Sequence, residues 1–207
     1  MHKVIFFDWN KTLSNSRFWE QLDNPSHRLY KKFAEIESVM FDKSHNLVIP
    51  WMLGKLSSKD VCNFIGDKIG IESELLHYEL EKSCREMQFV NDEVITLLKK
   101  IKGNGYKLII ATDNMDTFSN FTYPEIKKYN VFDGYLNSFD IKSFKYDCVD
   151  NSLPFFDHYL QKNGLTYKDV VLIDDSIDKK GNYLRLGFKI ININGDFSLN
   201  EALRLYV

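Results

Sequence analysis

Val4-Ile5-Phe6-Phe7-Asp8-Trp9-Asn10-Lys11-Thr12 runs four β-branched or aromatic residues straight into a carboxylate, and further polar residues follow within two positions. An apolar run with no polar residue alternating through it suits a central strand buried on both faces, the pattern of a parallel sheet. Asp8 then stands at the C-terminal edge of that strand. In open α/β sheets this edge borders the crevice where ligands bind, so a carboxylate placed there is available for chemistry. A turn or helix N-cap aspartate would look the same locally, and the choice depends on the rest of the chain.

The 207 residues are enough for one substantial core, or for one core with a smaller appended domain. A hydrophobic content of 44% and a charged content of 27% are ordinary for a globular protein. The formal charge of -2 makes no general electrostatic case for nucleic acid or for an anionic membrane. Cys62, Cys84 and Cys148 are widely spaced and contain no CxxC pair, so neither a disulfide framework nor a zinc site is expected. A reducing cytosol suits them. No apolar run has the length of a membrane span and no signal-peptide pattern precedes the first strand, which makes the expected location cytoplasmic.

After Thr12 the periodicity becomes helical. Asn24-Pro25 reads as an N-cap and first helical residue, with Leu29, Phe33, Ile36 and Met40 following at helical spacing. A second helix is expected from Ser57, with Asp60 completing a capping box, and a third from about Ser73 through Leu76, Leu80, Cys84 and Met87. Ile49 to Gly54 reads as an apolar loop or short turn between the first two. Strand and helix then alternate: helix Asp92–Ile101, strand Lys107–Thr112, a helical connection from Pro124, a short strand from Tyr135 to Ser138, and helix Leu153–Lys162. Strand Val170–Ile173, a helix to about Leu186, strand Phe188–Ile191 and a terminal helix from Ser198 to Leu205 complete the pattern. The expected fold is α/β, a Rossmann-like parallel sheet core formed by residues 1–14 and 89–207, with residues 15–88 inserted as a helical domain.

Three expected strands end in polar groups: Asp8, Thr112 and the pair Asp174-Asp175. All C-terminal strand ends of a parallel sheet lie along one edge, so these residues can converge on a single pocket. Carboxylates gathered in a partly desolvated crevice repel one another unless a cation enters. An oxygen-rich site of this kind suits Mg²⁺, which takes one or two carboxylates together with water and substrate phosphate.

VIFFDWNKT, KLIIAT and VLIDDS, with Phe132-Asp133-Gly134, Ser138 and Lys145 between the last two and Asn182 and Leu186-Gly187 after them, resemble in order the motifs of the haloacid dehalogenase (HAD) superfamily of hydrolases. The resemblance spans essentially the whole chain. It implies a helical cap inserted after the first motif, Asp8 as nucleophile, and Thr112 and Lys145 as binders of the phosphoryl group, helped by the backbone N–H groups of Trp9 and Asp113. It also implies Mg²⁺ held by Asp8, the backbone carbonyl of Asn10, Asp174 and Asp175. The implied substrate is a small phosphorylated metabolite rather than nucleic acid, because a closed cap leaves little room for a macromolecule.

The chain departs from the family pattern in two places. Lys145 is followed by Tyr146-Asp147 where the family usually has Pro-Asp, which leaves Lys142 as a competing lysine. Position 10 carries asparagine where phosphatases of the family carry the aspartate that protonates the leaving group and then activates water. An amide does neither, and general acid–base catalysis contributes roughly 10²–10⁴ in rate. Several readings therefore stay open: a phosphohydrolase of low activity, with a surrogate acid such as His27 or His45; a binding or regulatory protein; an introduced asparagine that traps substrate; or, more distantly, a dehalogenase. Arg17, Trp19, Arg28 and Trp51 are candidates for the substrate-facing side of the cap.

Overall fold

The structure, a computed structural model, describes residues 4–193 and 198–207; residues 1–3 and 194–197 of the expected core lie outside the described residues. The strands β1 (Val4–Phe7), β2 (Lys107–Thr112), β3 (Gly134–Asn137), β4 (Val170–Asp174) and β5 (Lys189–Asn192) form one sheet of order β3-β2-β1-β4-β5, with every pairing parallel. β1 lies at the centre, with Phe7 opposite Ile110 on one side and opposite Ile173 on the other. The chain winds outward from β1 through β2 to β3, then returns to the far side of β1 for β4 and β5. The strand order therefore reverses between β1 and β4, and the crevice at such a switch point is where open α/β sheets place ligands.

The unbroken apolar run of β1 follows from its two covered faces. Ile5 and Phe7 pack on one side of the sheet with Val94, Leu98 and Ile101 of α5 (Glu93–Gly103) and Leu203 of α10 (Leu199–Arg204). Val4 and Phe6 point to the other, onto Phe156 and Leu160 of α8 (Pro154–Lys162), Tyr183 of α9 (Asn182–Leu186) and Phe188. The alternation has period two even though the sequence shows none, because both layers are apolar.

Between β1 and α5 the described residues form no strand. They form α1 (Tyr30–Phe41), α2 (Val48–Met52), α3 (Ser58–Ile69) and α4 (Ser73–Arg85), whose apolar faces gather around Trp19, Ile36, Trp51, Ile65 and Leu80 in a cluster of their own. Met115, from the loop after β2, joins that cluster. α3 starts with the expected capping box, in which Ser57 and Asp60 satisfy each other's backbone N–H groups, and ends on Gly70 in the left-handed conformation at φ 71°.

Three local expectations change. The first helix starts at Tyr30 rather than near Asn24, because the Asn24 Oδ1 accepts from the Ser26 N–H at 3.0 Å in a local turn instead of capping a helix. The apolar segment before Gly54 contains the one-turn helix α2. The connection after β2 begins with a π-helical turn, Phe118–Thr122, ahead of α6 (Tyr123–Lys127). The short helix α7 (Ser138–Ile141) follows β3 directly. All three cysteines are unpaired, and among the described residues no helix is long and apolar enough to cross a membrane.

Candidate active site

Asp8 leaves β1 at the switch point and is buried, and its backbone N–H donates to the Ile173 carbonyl at 2.9 Å, continuing the ladder with β4. The chain then folds back on itself. The Trp9 carbonyl accepts from the Leu13 and Ser14 N–H groups, both at 2.9 Å, and Lys11 adopts the left-handed φ of 60° that such a tight return requires. The Trp9 indole packs into the sheet core against Phe89 and Phe118, so a ligand in the crevice meets the backbone of Trp9 and not its ring. Asn10 is exposed at the bend.

Lys145 reaches this point from the segment after α7. Its ammonium donates to Asp8 Oδ1 at 2.5 Å and to Asp174 Oδ2 at 2.7 Å, and all three groups are buried. Its position is fixed from behind: the Lys145 N–H donates to Asp113 Oδ1 at 2.9 Å, and the Tyr183 hydroxyl donates to the Lys145 carbonyl at 2.6 Å. Lys142 is exposed, extends toward the Gly54 carbonyl and lies over the Phe139 ring, away from the acids. Asp174 Oδ1 accepts from the Ser176 N–H at 2.8 Å, and the Asp175 N–H donates to Thr12 Oγ1 at 3.1 Å, tying the end of β4 to the loop after β1. Thr12 and Tyr183 thus orient the site; Thr12 closes the first motif with no role of its own read from the sequence, and Tyr183 carried no chemical signal there.

The electrostatics follow from burial. Desolvation raises Asp8 to about 7, with Lys145 opposing and Asp174 adding to the shift. Burial works against the Lys145 ammonium, but the surrounding carboxylates of Asp8, Asp174 and Asp113 outweigh it and hold its pKa above the ordinary value. Asp113 is raised to about 6, again first by burial. Asp175 is raised by burial and by Asp174 beside it.

One oxygen from each of Asp8, Asp174 and Asp175 lies within 4.8 Å of the others. Three hard oxygen donors gathered at one strand edge form a donor set that suits a small divalent cation, and Mg²⁺ fits it. Thr112, at the end of β2, has its hydroxyl buried with no hydrogen-bond partner among the described residues. A buried hydroxyl without a partner is costly, and at the C-terminal end of a strand that borders β1 it is available to a ligand's oxygen.

A cavity of about 400 Å³ opens over this edge, with Asn10, Lys11 and Asp113 on the side of the sheet. Arg17, Trp19 and Met40 line it from the helical segment. Of the four candidates for the substrate-facing side, Arg17 and Trp19 are therefore at the cavity. Trp51 is instead fully buried, with its indole N–H donating to Asp116 Oδ1 at 2.7 Å, and Arg28 extends to Glu79. Neither His27, which lies 3.4 Å from Glu79, nor His45, beside the Val39 carbonyl, lines the cavity.

Comparison of the sequence with family models and with curated proteins returns no match. Solved structures do match. A predicted HAD-like family hydrolase from Porphyromonas gingivalis superposes with a TM-score of 0.67 at 18% identity, over 99% of this chain and 98% of that one. The chain has the HAD-like fold. A HAD family enzyme from Bacteroides thetaiotaomicron, in complex with magnesium and inorganic phosphate, gives a TM-score of 0.64 at 14% identity over 96% of this HAD-like chain and 98% of its own. The L-2-haloacid dehalogenase from Xanthobacter autotrophicus with chloropropionic acid covalently bound gives 0.64 at 12% identity, over 99% and 88% of the two chains.

Proposed function

We propose that this protein is a magnesium-dependent phosphohydrolase that acts on a small phosphorylated metabolite through an aspartyl-phosphate on Asp8, with residues 15–88 serving as a cap over the site. The observation that carries the proposal is the buried Asp8–Lys145–Asp174 cluster at the switch point, with, at the end of the neighbouring strand β2, a Thr112 hydroxyl that has no partner among the described residues. The Bacteroides enzyme of the same fold, in complex with magnesium and inorganic phosphate, supports it.

In this reading Asp8 attacks phosphorus, its P–O bond forms as the bond to the leaving oxygen breaks, and water later releases the phosphate. Lys145 and the Thr112 hydroxyl stabilise the charge on the phosphoryl oxygens, assisted by the backbone N–H groups of Trp9 and Asp113. Asp8, Asp174, Asp175 and the carbonyl of Asn10 would hold Mg²⁺, which when bound neutralises charge on the nucleophile and the phosphate. The side chains at the cavity, Arg17 and Trp19 among them, meet the leaving group and exclude water.

The dehalogenases of this fold support a second reading, in which Asp8 attacks carbon and displaces a halide. The adjacent acids Asp174 and Asp175 favour phosphorus, since displacement of a halide requires no metal. Phosphate release from a panel of phosphate esters and halide release from 2-haloacids, each with and without Mg²⁺, separates the two. Mg²⁺-dependent phosphate release that disappears in Asp8→Asn is expected. Halide release alone supports the dehalogenase, and neither product, with inorganic phosphate still binding, supports a protein that only binds.

A further inference from the structure

The proposed chemistry needs a proton for the leaving group and a base for water, and the amide of Asn10 supplies neither. Resting on the phosphohydrolase reading, we infer that the side chain of Asp113 is the acid–base catalyst, acting across the cavity from the strand end of β2.

Four residues lining the cavity carry ionisable side chains: Lys11, Arg17, Glu37 and Asp113. Arg17 stays protonated and is held by Asp23 at 2.8 Å. Glu37 belongs to the helical segment, where its Oε1 lies 3.7 Å from Arg17 Nη1, and Lys11 is an exposed side chain on the loop after β1. Asp113 differs from all three. It directly follows Thr112, shares the wall of the cavity with Asn10, and has one carboxyl oxygen fixed by the Lys145 N–H at 2.9 Å. That bond anchors Asp113 to the residue whose ammonium holds Asp8, so acid and nucleophile are positioned by one lysine. Burial also brings the carboxyl close to neutrality, where a single group can both donate and accept. The ionisable groups that act on it are Lys145, Asp147 and Asp174, and it in turn acts on Asp8, Tyr146 and Tyr183.

The steps balance. As the Asp8 oxygen bonds to phosphorus and the ester P–O bond breaks, the Asp113 carboxylic acid gives its proton to the departing oxygen, which leaves as an alcohol. The Asp113 carboxylate then takes a proton from the water that attacks the aspartyl-phosphate, the bond between phosphorus and the Asp8 oxygen breaks, and inorganic phosphate leaves with Asp8 ionised and Asp113 protonated again.

The test compares the protein with Asp113→Asn and with Asp113→Asn combined with Asn10→Asp, by rapid-quench kinetics with Mg²⁺ on an alkyl phosphate and on an activated aryl phosphate. The Asp113→Asn substitution keeps an amide oxygen for the Lys145 N–H, and its effect is therefore on proton transfer and not on the fold. For Asp113→Asn, alkyl phosphate turnover should drop about 10²–10⁴-fold. The aryl phosphate, whose leaving group needs no proton, should give a burst of one product per site followed by slow turnover, because dephosphorylation lacks its base. Adding Asn10→Asp should restore the steady state and remove the burst. Unchanged alkyl turnover with no burst in Asp113→Asn overturns the role of Asp113 while leaving the phosphohydrolase intact. No phosphate release and no phosphorylated Asp8 in the unsubstituted protein overturns both.

Discussion

Replacing Lys145 by methionine should destabilise the protein in a manner that depends on pH and metal. The ammonium sits 2.5 Å from Asp8 and 2.7 Å from Asp174, with all three side chains almost fully buried. Methionine preserves most of the volume of the stem but leaves two buried carboxylates facing each other without a cation, and removing one partner of a buried ion pair costs about 3–5 kcal/mol. A chain of this size loses about 2–4 °C of Tm per kcal/mol, which gives about 6–20 °C. Asp8 is already raised to about 7 with the lysine present, and removing the lysine raises it further. An acid whose folded pKa lies above its unfolded value stabilises the fold at low pH and loses that contribution as pH rises through the folded pKa. The deficit of Lys145→Met should therefore be largest at pH 8, small at pH 5, and partly offset at pH 8 by Mg²⁺. Thermal melts of both proteins at the two pH values, with and without Mg²⁺, read this directly. An equal loss at pH 5 and pH 8 would show that the lysine contributes packing rather than charge.

Calorimetry with phosphate present should show one Mg²⁺ per chain, and Asp175→Ala should remove it because a carboxylate oxygen of the cluster is lost; unchanged binding would move the metal elsewhere. With Asp8 raised to about 7, protons compete with the metal, so Mg²⁺ affinity should fall as pH drops below about 7 with protons released on binding; a flat profile from pH 5 to 8 would contradict this. Asp116 accepts from Trp51 Nε1 at 2.7 Å, from the Ser58 N–H at 3.0 Å and from the Ser58 hydroxyl at 2.9 Å, joining the loop after β2 to two helices of the inserted segment. Asp116→Ala strands these buried donors and should cost about 2–4 kcal/mol in urea unfolding, whereas a loss under about 0.5 kcal/mol would mean that water replaces the carboxylate.

Much of this architecture was legible in the residues because the parallel strands carry strong patterns. VIFF, LIIAT and VVLI are too apolar and too β-branched for anything but strands covered on both faces, and each ends on a side chain that the switch-point topology then brings to one edge. The sequence could not decide between Lys142 and Lys145, because three positions separate them and only burial distinguishes a lysine between two carboxylates from one near the surface. Trp51 illustrates the opposite limit. An aromatic residue in an inserted helical segment reads equally as core or as substrate wall, and its indole bond to Asp116, 65 positions away, is a tertiary fact with no local signature. Asn24 failed as a helix start for a local reason, since its side chain bonds two residues ahead and competes with the cap. The roles of Thr12 and Tyr183 were not legible because their work is done through single hydrogen bonds to the backbone of Asp175 and Lys145.

The claim that Asp8 is a phosphoryl-accepting nucleophile is tested most directly by acid-quenching the protein with an activated aryl phosphate and Mg²⁺ within the first turnover and mapping the modified peptide. A phosphoryl group on Asp8, absent without Mg²⁺ and absent in Asp8→Asn, is the expected result. Phosphate release with Asp8 unmodified, or no modification while inorganic phosphate still binds, would contradict it.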